Sequence, residues 1–239
     1  MSGHSKWATT HRQKELVDAK RGAIFTRLAN IISIAAKKGG DPESNPSLRA
    51  AIDKARDANM PKDNIERAIK KGTGELGGDQ VEELYYEAIA TAGVQFIVKC
   101  TTDNKNRSGS TVKHIFSKNG GAFGSVMWNF SLQAVFMISN GELEKSGLSL
   151  DNLELSLIDQ GIIDFKKEED GVSIYAQAGD FQKIGDYLAG QGIKPESAEL
   201  EYVAKEKQAV STEDQEKLDK IMGDLEDNED VSDYYHNIA

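Results

Sequence analysis

The first fourteen residues carry positively charged side chains interleaved with rings, and they show no helical stripe of apolar residues. Lys6, Arg12 and Lys14 supply the charge, while Trp7 and His11 supply the rings. Cations can hold phosphate groups, and a tryptophan ring can stack on an unpaired base, which is worth about 1–3 kcal/mol. This mixture predicts an arm that contacts RNA or DNA. Packing of Trp7 against a neighbouring helix explains that residue equally well.

A second group of cations lies where the first helix is expected to begin. Lys20, Arg21 and Arg27 follow the arm directly. Positive charge opposes the helix dipole at the N-terminal end of a helix, so the helix itself gives no reason for these cations. We therefore predict that they contact an external phosphate.

Four further lysines occupy the last turns of two predicted helices, where the helix dipole alone accounts for them. The four are Lys37, Lys38, Lys70 and Lys71. Cations in a last turn stabilise a helix by about 0.3–1 kcal/mol without any ligand. They rank below the arm as candidates for binding.

The segment from Asp103 to Arg107 joins a predicted strand to a predicted helix. Backbone amides at a helix N-terminus, together with Lys105 and Arg107, could receive a phosphate. Ordinary turn and capping chemistry is the alternative explanation.

Charge is divided by position along the 239-residue chain, whose overall net charge is -10. Residues 1–72 contain fifteen Lys and Arg against eight Asp and Glu, a net charge of +7, which leaves the remainder at -17. Such a division favours an approach to phosphate by one region only. The acidic stretch 213–233 is expected to be the solvated face of a helix.

Apolar spacing predicts three helices in the basic part of the chain. The first covers residues 18–38, and Asn45 as N-cap with Pro46 begins the second. Pro61 begins the third helix, which is expected to end at Gly72. These elements would form a small helical domain that carries the basic arm.

After a glycine-rich linker the pattern changes to short strands and helices. Strands are predicted at 83–90, 93–102 and 125–130, with a helix at 108–118. Residues 134–204 then follow the order βαββαβ, which is typical of ferredoxin-like units. Thr212 and Gln215 form a capping box for a late helix, and residues 231–238 are a last strand that must return to a sheet.

The predicted fold class is therefore α+β. An N-terminal three-helix domain precedes two small α/β sandwich domains with ferredoxin-like character, the third inserted in the second. The expected boundaries are residues 1–75, residues 80–131 plus 208–239, and residues 132–207.

Several classes of function find no support in the sequence. The single cysteine, Cys100, lies in an apolar run, and the four histidines lack partners at zinc-site spacing. Glycines 72–78 are not followed by Gly-Lys-Ser/Thr, and no nucleophile elbow or His-Glu-x-x-His helix occurs. We expect a non-enzyme without metal or cofactor, located in the cytoplasm and without a membrane span.

Short sequence words distributed along the chain resemble the YebC/PmpR family. They begin with Met-Ser-Gly-His-Ser-Lys-Trp-Ala at residue 1 and include His11-Arg12, residues 18–22, 24–25, 39–42, 45–46, 48–49, 58–62, 64–68 and 102–107. The sequence departs from the family at Thr9-Thr10 and in the loop Gly120–Val126, which is a few residues short.

This resemblance implies a three-domain protein that acts on nucleic acid. Members are named probable DNA-binding transcriptional regulators, mitochondrial relatives activate translation of cytochrome c oxidase, and bacterial members are linked to ribosomes stalled on proline-rich chains. We expect a cytoplasmic regulator of gene expression that binds DNA. The alternatives are a translation factor that binds ribosomal or transfer RNA and a protein–protein adaptor, and the oligomeric state stays open.

Overall fold

The computed structural model describes residues 21–239, apart from the side chain of Arg21. Three helices come first: α1 (Arg21–Ala36), α2 (Pro46–Asp57) and α3 (Lys62–Thr73). Their shared core contains Leu28, Ile32, Leu48, Ile52 and Ile65, all buried. Burial of one such side chain contributes about 1.5–3 kcal/mol, so the predicted apolar stripes hold this region together.

The start of α2 follows the predicted capping chemistry, whereas α3 begins at Lys62, one residue after the predicted Pro61, and its end also differs. The side chain of Asn45 accepts a hydrogen bond from the backbone N–H of Leu48 (3.1 Å), and Pro46 is the first residue of α2. The prediction that α3 ends at Gly72 is wrong, because the helix continues to Thr73 and Gly74 adopts the left-handed cap (φ 86°). Gly72 has a different role, since a Cβ there would lie 2.2 Å from the carbonyl oxygen of Ser33 on α1.

A four-stranded antiparallel sheet follows. Its elements are β1 (Glu82–Ile89), β2 (Gln95–Thr102), α4 (Lys105–Lys118), β3 (Ala122–Phe123), α8 (Thr212–Glu226) and β8 (Val231–His236). The strand order in the sheet is β3-β1-β2-β8. Helices α4 and α8 share with the sheet a core that includes Phe96, Phe116 and Leu218. The last strand pairs with β2 through the register Val98–Tyr234, so distant parts of the chain complete this sheet.

Three local predictions for this region are wrong, each because a polar side chain satisfies backbone groups at another position. Helix α4 begins at Lys105 rather than residue 108, because Asn104 accepts from the backbone N–H of Arg107 (3.0 Å). Residues 125–129 form no strand, since the Glu87 carboxylate accepts from the N–H groups of Val126 and Met127 and holds them in a turn. The N-cap of α8 is Ser211, not Thr212.

A second antiparallel sheet is formed by residues 130–204. Its elements in chain order are β4 (Phe130–Ser139), α5 (Asn140–Ser146), α6 (Leu150–Asp159), β5 (Asp164–Lys167), β6 (Gly171–Gln177), α7 (Phe181–Gly190) and β7 (Ser197–Ala204). The strand order in the sheet is β5-β6-β4-β7. Its core joins Phe136 and Ile174 of the sheet to Leu153 and Ile184 of the helices. The short helix α5 was not predicted from the sequence.

Among the described residues the chain separates into two compact units, residues 21–127 with 208–239 and residues 128–207. The three helices and the first sheet belong to the first unit. None of the helices in residues 21–239 combines the length and the apolar character that crossing a bilayer requires.

Candidate nucleic-acid interface

The whole predicted arm lies outside the described part of the chain. Lys6, Trp7, His11, Arg12, Lys14 and Lys20 all fall within residues 1–20. Arg21 is the first described residue of α1, and its side chain is not described. Their predicted contacts with phosphate therefore stay predictions, and the structure places only Arg27, Lys105 and Arg107 of the predicted set.

Arg27 faces the end of an acidic helix instead of open solvent. Its Nη2 donates to the carbonyl oxygens of Glu226 (2.8 Å) and Asn228 (3.2 Å), at the C-terminal end of α8. Burial lowers the pKa of Arg27, while the charges of Asp233 and Glu226 act in the opposite direction. A cation at a helix C-terminus also suits the helix dipole. Arg27 thus joins α1 to α8, and a phosphate would have to displace these contacts.

Lys105 and Arg107 lie where the sequence predicted, but carboxylates already face them. Lys105 pairs with Glu82 at 2.7 Å. Arg107 binds Asp230 with two donors, Nη2 at 2.7 Å and Nε at 3.0 Å, and the Asp230 side chain is 4% exposed. The hydrogen bonds with Asp230 raise the pKa of Arg107. We call Asp103, Lys105, Arg107 and Asp230 the loop cluster.

The loop cluster also reaches α3. The Nζ of Lys71 donates to Asp103 at 2.9 Å, and Arg107 lies 3.4 Å from the same carboxylate. The hydrogen bond from Lys71 lowers the pKa of Asp103, and the positive charges of Lys71 and Arg107 add to this effect. Together with the bond from Asn30 to the carbonyl of Thr101 (2.8 Å), this ion pair connects the three helices to the first sheet.

The C-terminal ends of α1 and α3 come together and carry lysines that have no acidic partner. Gly72 permits the close approach, because its hypothetical Cβ would also lie 2.7 Å from the Cβ of Ala36. Lys37, Lys38 and Lys70 stand at this end, and none forms an ion pair or hydrogen bond through its side chain with a residue in 21–239. These three are the helix-end lysines. The sequence had ranked them below the arm.

A groove of about 400 Å³ separates the exposed sides of α1 and α3. Phe25, Ala29 and Asn30 line it on α1, and Asn64, Arg67 and Lys71 line it on α3. At its end lie Asp103, Arg107 and Glu229. Arg67 is exposed, and within residues 21–239 its guanidinium has no hydrogen-bond or ion-pair partner.

Asn64 and Arg67 are not among the residues that the sequence predicts to bind. A signal was present, because residues 64, 67 and 71 are spaced three and four apart and therefore share one side of α3. The spacing alone could not reveal that a second helix lies beside that side. The groove depends on the pairing of α1 with α3.

Other kinds of site find no support in residues 21–239. That part of the chain contains no cluster of His, Cys, Asp and Glu side chains suited to a metal ion. Cys100 is buried, and burial raises the pKa of its thiol to about 12, which keeps the thiol protonated and a poor nucleophile.

Comparisons with known proteins cover nearly the whole chain. Residues 5–75 match a family model described as the TACO1/YebC protein N-terminal domain, and residues 81–238 match one described as the TACO1/YebC second and third domain. A probable transcriptional regulatory protein of Thermoanaerobacter pseudethanolicus is 43% identical, over 100% of this chain and 97% of its own. One of Caldanaerobacter subterraneus is 42% identical, over 100% and 98%.

A solved structure has a similar fold. The crystal structure of a conserved hypothetical protein from Aquifex aeolicus superimposes with a TM-score of 0.80 at 36% identity. The match covers 93% of this chain and 92% of that one, so it includes the three helices and both sheets.

Proposed function

The chain belongs to the TACO1/YebC family, whose similar members are named probable transcriptional regulatory proteins, and on this premise we propose that it regulates transcription by binding DNA. The family is one of probable regulators and not of enzymes. The proposed partner is the phosphate backbone of DNA, bound by the basic region that includes the arm. The cytoplasm is the proposed location.

The observation that carries the proposal is that a group of cations in the basic part of the chain has no carboxylate partner. Beyond residue 72, eight of the fourteen Lys and Arg form ion pairs with carboxylates: Lys99, Lys105, Arg107, Lys118, Lys145, Lys166, Lys167 and Lys217. In the basic part Arg56, Lys62 and Lys71 also have carboxylate partners, whereas the helix-end lysines and Arg67 have none in residues 21–239. Cations left without carboxylates are available for phosphate, and each phosphate contact releases counterions.

Crosslinking in cells tests the proposal, with DNA and RNA recovered in parallel from the same sample. The test variant is Lys20→Glu/Arg21→Glu, in the basic region. The matched control, Lys217→Glu/Lys220→Glu, reverses two charges on the acidic helix α8. Enrichment of promoter DNA that the test variant loses and the control keeps is the expected result.

Other outcomes would replace the proposal. Recovery of ribosomal or transfer RNA in place of promoter DNA would identify a translation factor. Recovery of neither, with both variants functional, would favour a protein–protein adaptor. Equal loss in both variants would mean that total charge, and not the basic region, controls the binding.

The finer domain description belongs to the same proposal. Residues 1–75, residues 80–131 plus 208–239, and residues 132–207 would be three domains, the third inserted in the second. Support for a ferredoxin-like third domain comes from its strand order, in which the first and third strands of βαββαβ lie in the centre.

A further inference from the structure

We infer that the groove between α1 and α3 binds one unpaired nucleotide of the nucleic acid, with its phosphate on Arg67 and its base between Phe25 and Asn64. This inference rests on the proposed function and sharpens it, because it names the form of nucleic acid that one site would take. A groove of about 400 Å³ falls in the range of small-molecule sites, and a single nucleotide is a ligand of that size.

The charges around the groove indicate where the phosphate would lie. Asp103 neutralises Lys71, and Asp230 neutralises Arg107 through two hydrogen bonds. Arg67 is the groove cation that keeps all its donors available among residues 21–239. A guanidinium of this kind binds phosphate with two parallel hydrogen bonds. Glu229 lies close to Arg107, at the end of the groove, and its negative charge makes that end unfavourable for an anion. The phosphate is therefore expected on Arg67 instead.

The walls of the groove suit a flat, polar-edged ring. Phe25 is half-buried on α1, and Ala29 and the buried Met60 continue the apolar surface. Opposite, Asn64 is half-buried, and its side-chain amide has no hydrogen-bond partner in residues 21–239. An aromatic ring stacks on bases of any sequence, whereas an amide offers a donor and an acceptor to a base edge. Proteins read unpaired bases in this way.

A duplex would use the same region differently. A base inside a duplex cannot enter a groove between two helices without unstacking, which costs a few kcal/mol. A duplex would therefore contact the exposed cations by charge alone, and all cations of the helical region would then contribute similarly. This difference separates the groove from diffuse electrostatic binding.

The experiment measures affinities by fluorescence anisotropy for the full chain and four probes. The probes are a single-stranded DNA of twelve nucleotides, the RNA of the same sequence, and the DNA and RNA duplexes of that sequence. Arg67→Gln and Asn64→Ala change the groove. Arg49→Gln is the matched control, since Arg49 is an exposed arginine of α2 outside the groove, and its guanidinium bonds the backbone carbonyls of Pro42 and Glu43 but no carboxylate in residues 21–239. Thermal unfolding verifies that all three variants fold.

We expect Arg67→Gln to weaken binding of a single strand about tenfold and Asn64→Ala to weaken it severalfold. Arg49→Gln should change the affinity for single strands little, and the two arginine variants should weaken binding of the duplexes equally. A single strand that contains 4-thiothymidine should crosslink to Phe25 or Met60 on irradiation. The affinities for the single-stranded DNA and RNA of the same sequence show which sugar–phosphate backbone the groove prefers.

Other results overturn the inference in distinguishable ways. Equal weakening of single-strand binding by Arg67→Gln and Arg49→Gln would mean diffuse electrostatic binding, with the proposed function intact. Tight binding of duplex with no binding of single strands would contradict the inference about the groove but leave the proposed function intact. No binding of any probe by the unmodified chain would contradict the inference together with the proposed function.

Discussion

The loop cluster and the helix-end lysines are both rich in cations, yet they differ in what faces those cations. In the loop cluster, Arg107 lies against the buried Asp230. At the ends of α1 and α3, Lys37 and Lys70 meet no carboxylate among residues 21–239. A cation count alone therefore does not define a binding surface, because carboxylates that the fold places beside the cations can neutralise them.

The two regions also differ in the energy that their cations contribute to folding. Charge-assisted hydrogen bonds to a buried carboxylate stabilise the folded state by about 1.5–3 kcal/mol each. A lysine in the last turn of a helix contributes about 0.3–1 kcal/mol at most. We therefore expect changes in the loop cluster to alter stability, and changes in the helix-end lysines to alter binding.

The largest expected effect concerns the contact that brings the two lysine-bearing helix ends together. Gly72→Ala places a methyl group 2.2 Å from the Ser33 carbonyl oxygen, so α1 and α3 must move apart. We expect a loss of about 3 kcal/mol in the free energy of unfolding, measured by urea denaturation. Gly223→Ala is the control, because its Cβ meets nothing within 4 Å, and it should be neutral or stabilising. Equal stability of both variants would show that this contact is not close.

The second prediction tests whether the loop cluster stabilises the folded protein. Asp230→Asn keeps the shape of the side chain but removes the charge that faces Arg107, and we expect a loss of about 2 kcal/mol. Affinity for nucleic acid should stay the same or rise, because Arg107 loses its acidic partner. Glu229→Gln, the neighbouring exposed carboxylate, should change stability by less than about 0.5 kcal/mol. A marked loss of affinity in Asp230→Asn with unchanged stability would show that the loop cluster contributes to binding and not to stability.

Changes in the helix-end lysines should alter the affinity for DNA and leave the stability almost unchanged. Replacing Lys37, Lys38 and Lys70 by Gln should weaken DNA binding about tenfold and lower the salt slope of log K by about 2 to 3, as expected for lost phosphate contacts. Stability should change by less than about 1 kcal/mol.

The matched control for the helix-end lysines removes three lysines that already have acidic partners, Lys118, Lys145 and Lys217. Salt titrations of both triple variants provide the measurement. If the control lowers the slope as much as the test variant, availability of the cation is not what decides binding.

The smallest predicted effect is the pH dependence of the stability that the ion pair between Lys71 and Asp103 contributes. Lys71 lowers the pKa of Asp103 in the folded state, so the stabilisation is present above the unfolded pKa of about 3.9 and is lost as pH falls through the lower folded value. Because both side chains are about one-third exposed, we expect less than about 1 kcal/mol. Lys71→Met should lower stability at pH 6 and make no difference near pH 2, while Arg56→Met should show little change at either pH.

Much of the secondary structure was predictable because local chemistry decides it. Asn45 with Pro46 determines the start of α2, and β7 begins and ends at the predicted residues. The strand wrongly predicted at residues 125–130 has a non-local cause. Glu87, far away in the chain, holds the backbone of Val126 and Met127, and no local pattern could reveal that contact.

The basic and acidic parts of the chain, the helical and strand periods and the family could all be inferred from the sequence, because they depend on residue types and near neighbours. The packing of distant segments determines which cations are neutralised and where the groove lies. Arg107 and Asp230 are 123 positions apart, and Phe25 and Arg67 belong to different helices. Such pairs depend on how helices and strands pack, and packing is a property of the whole fold.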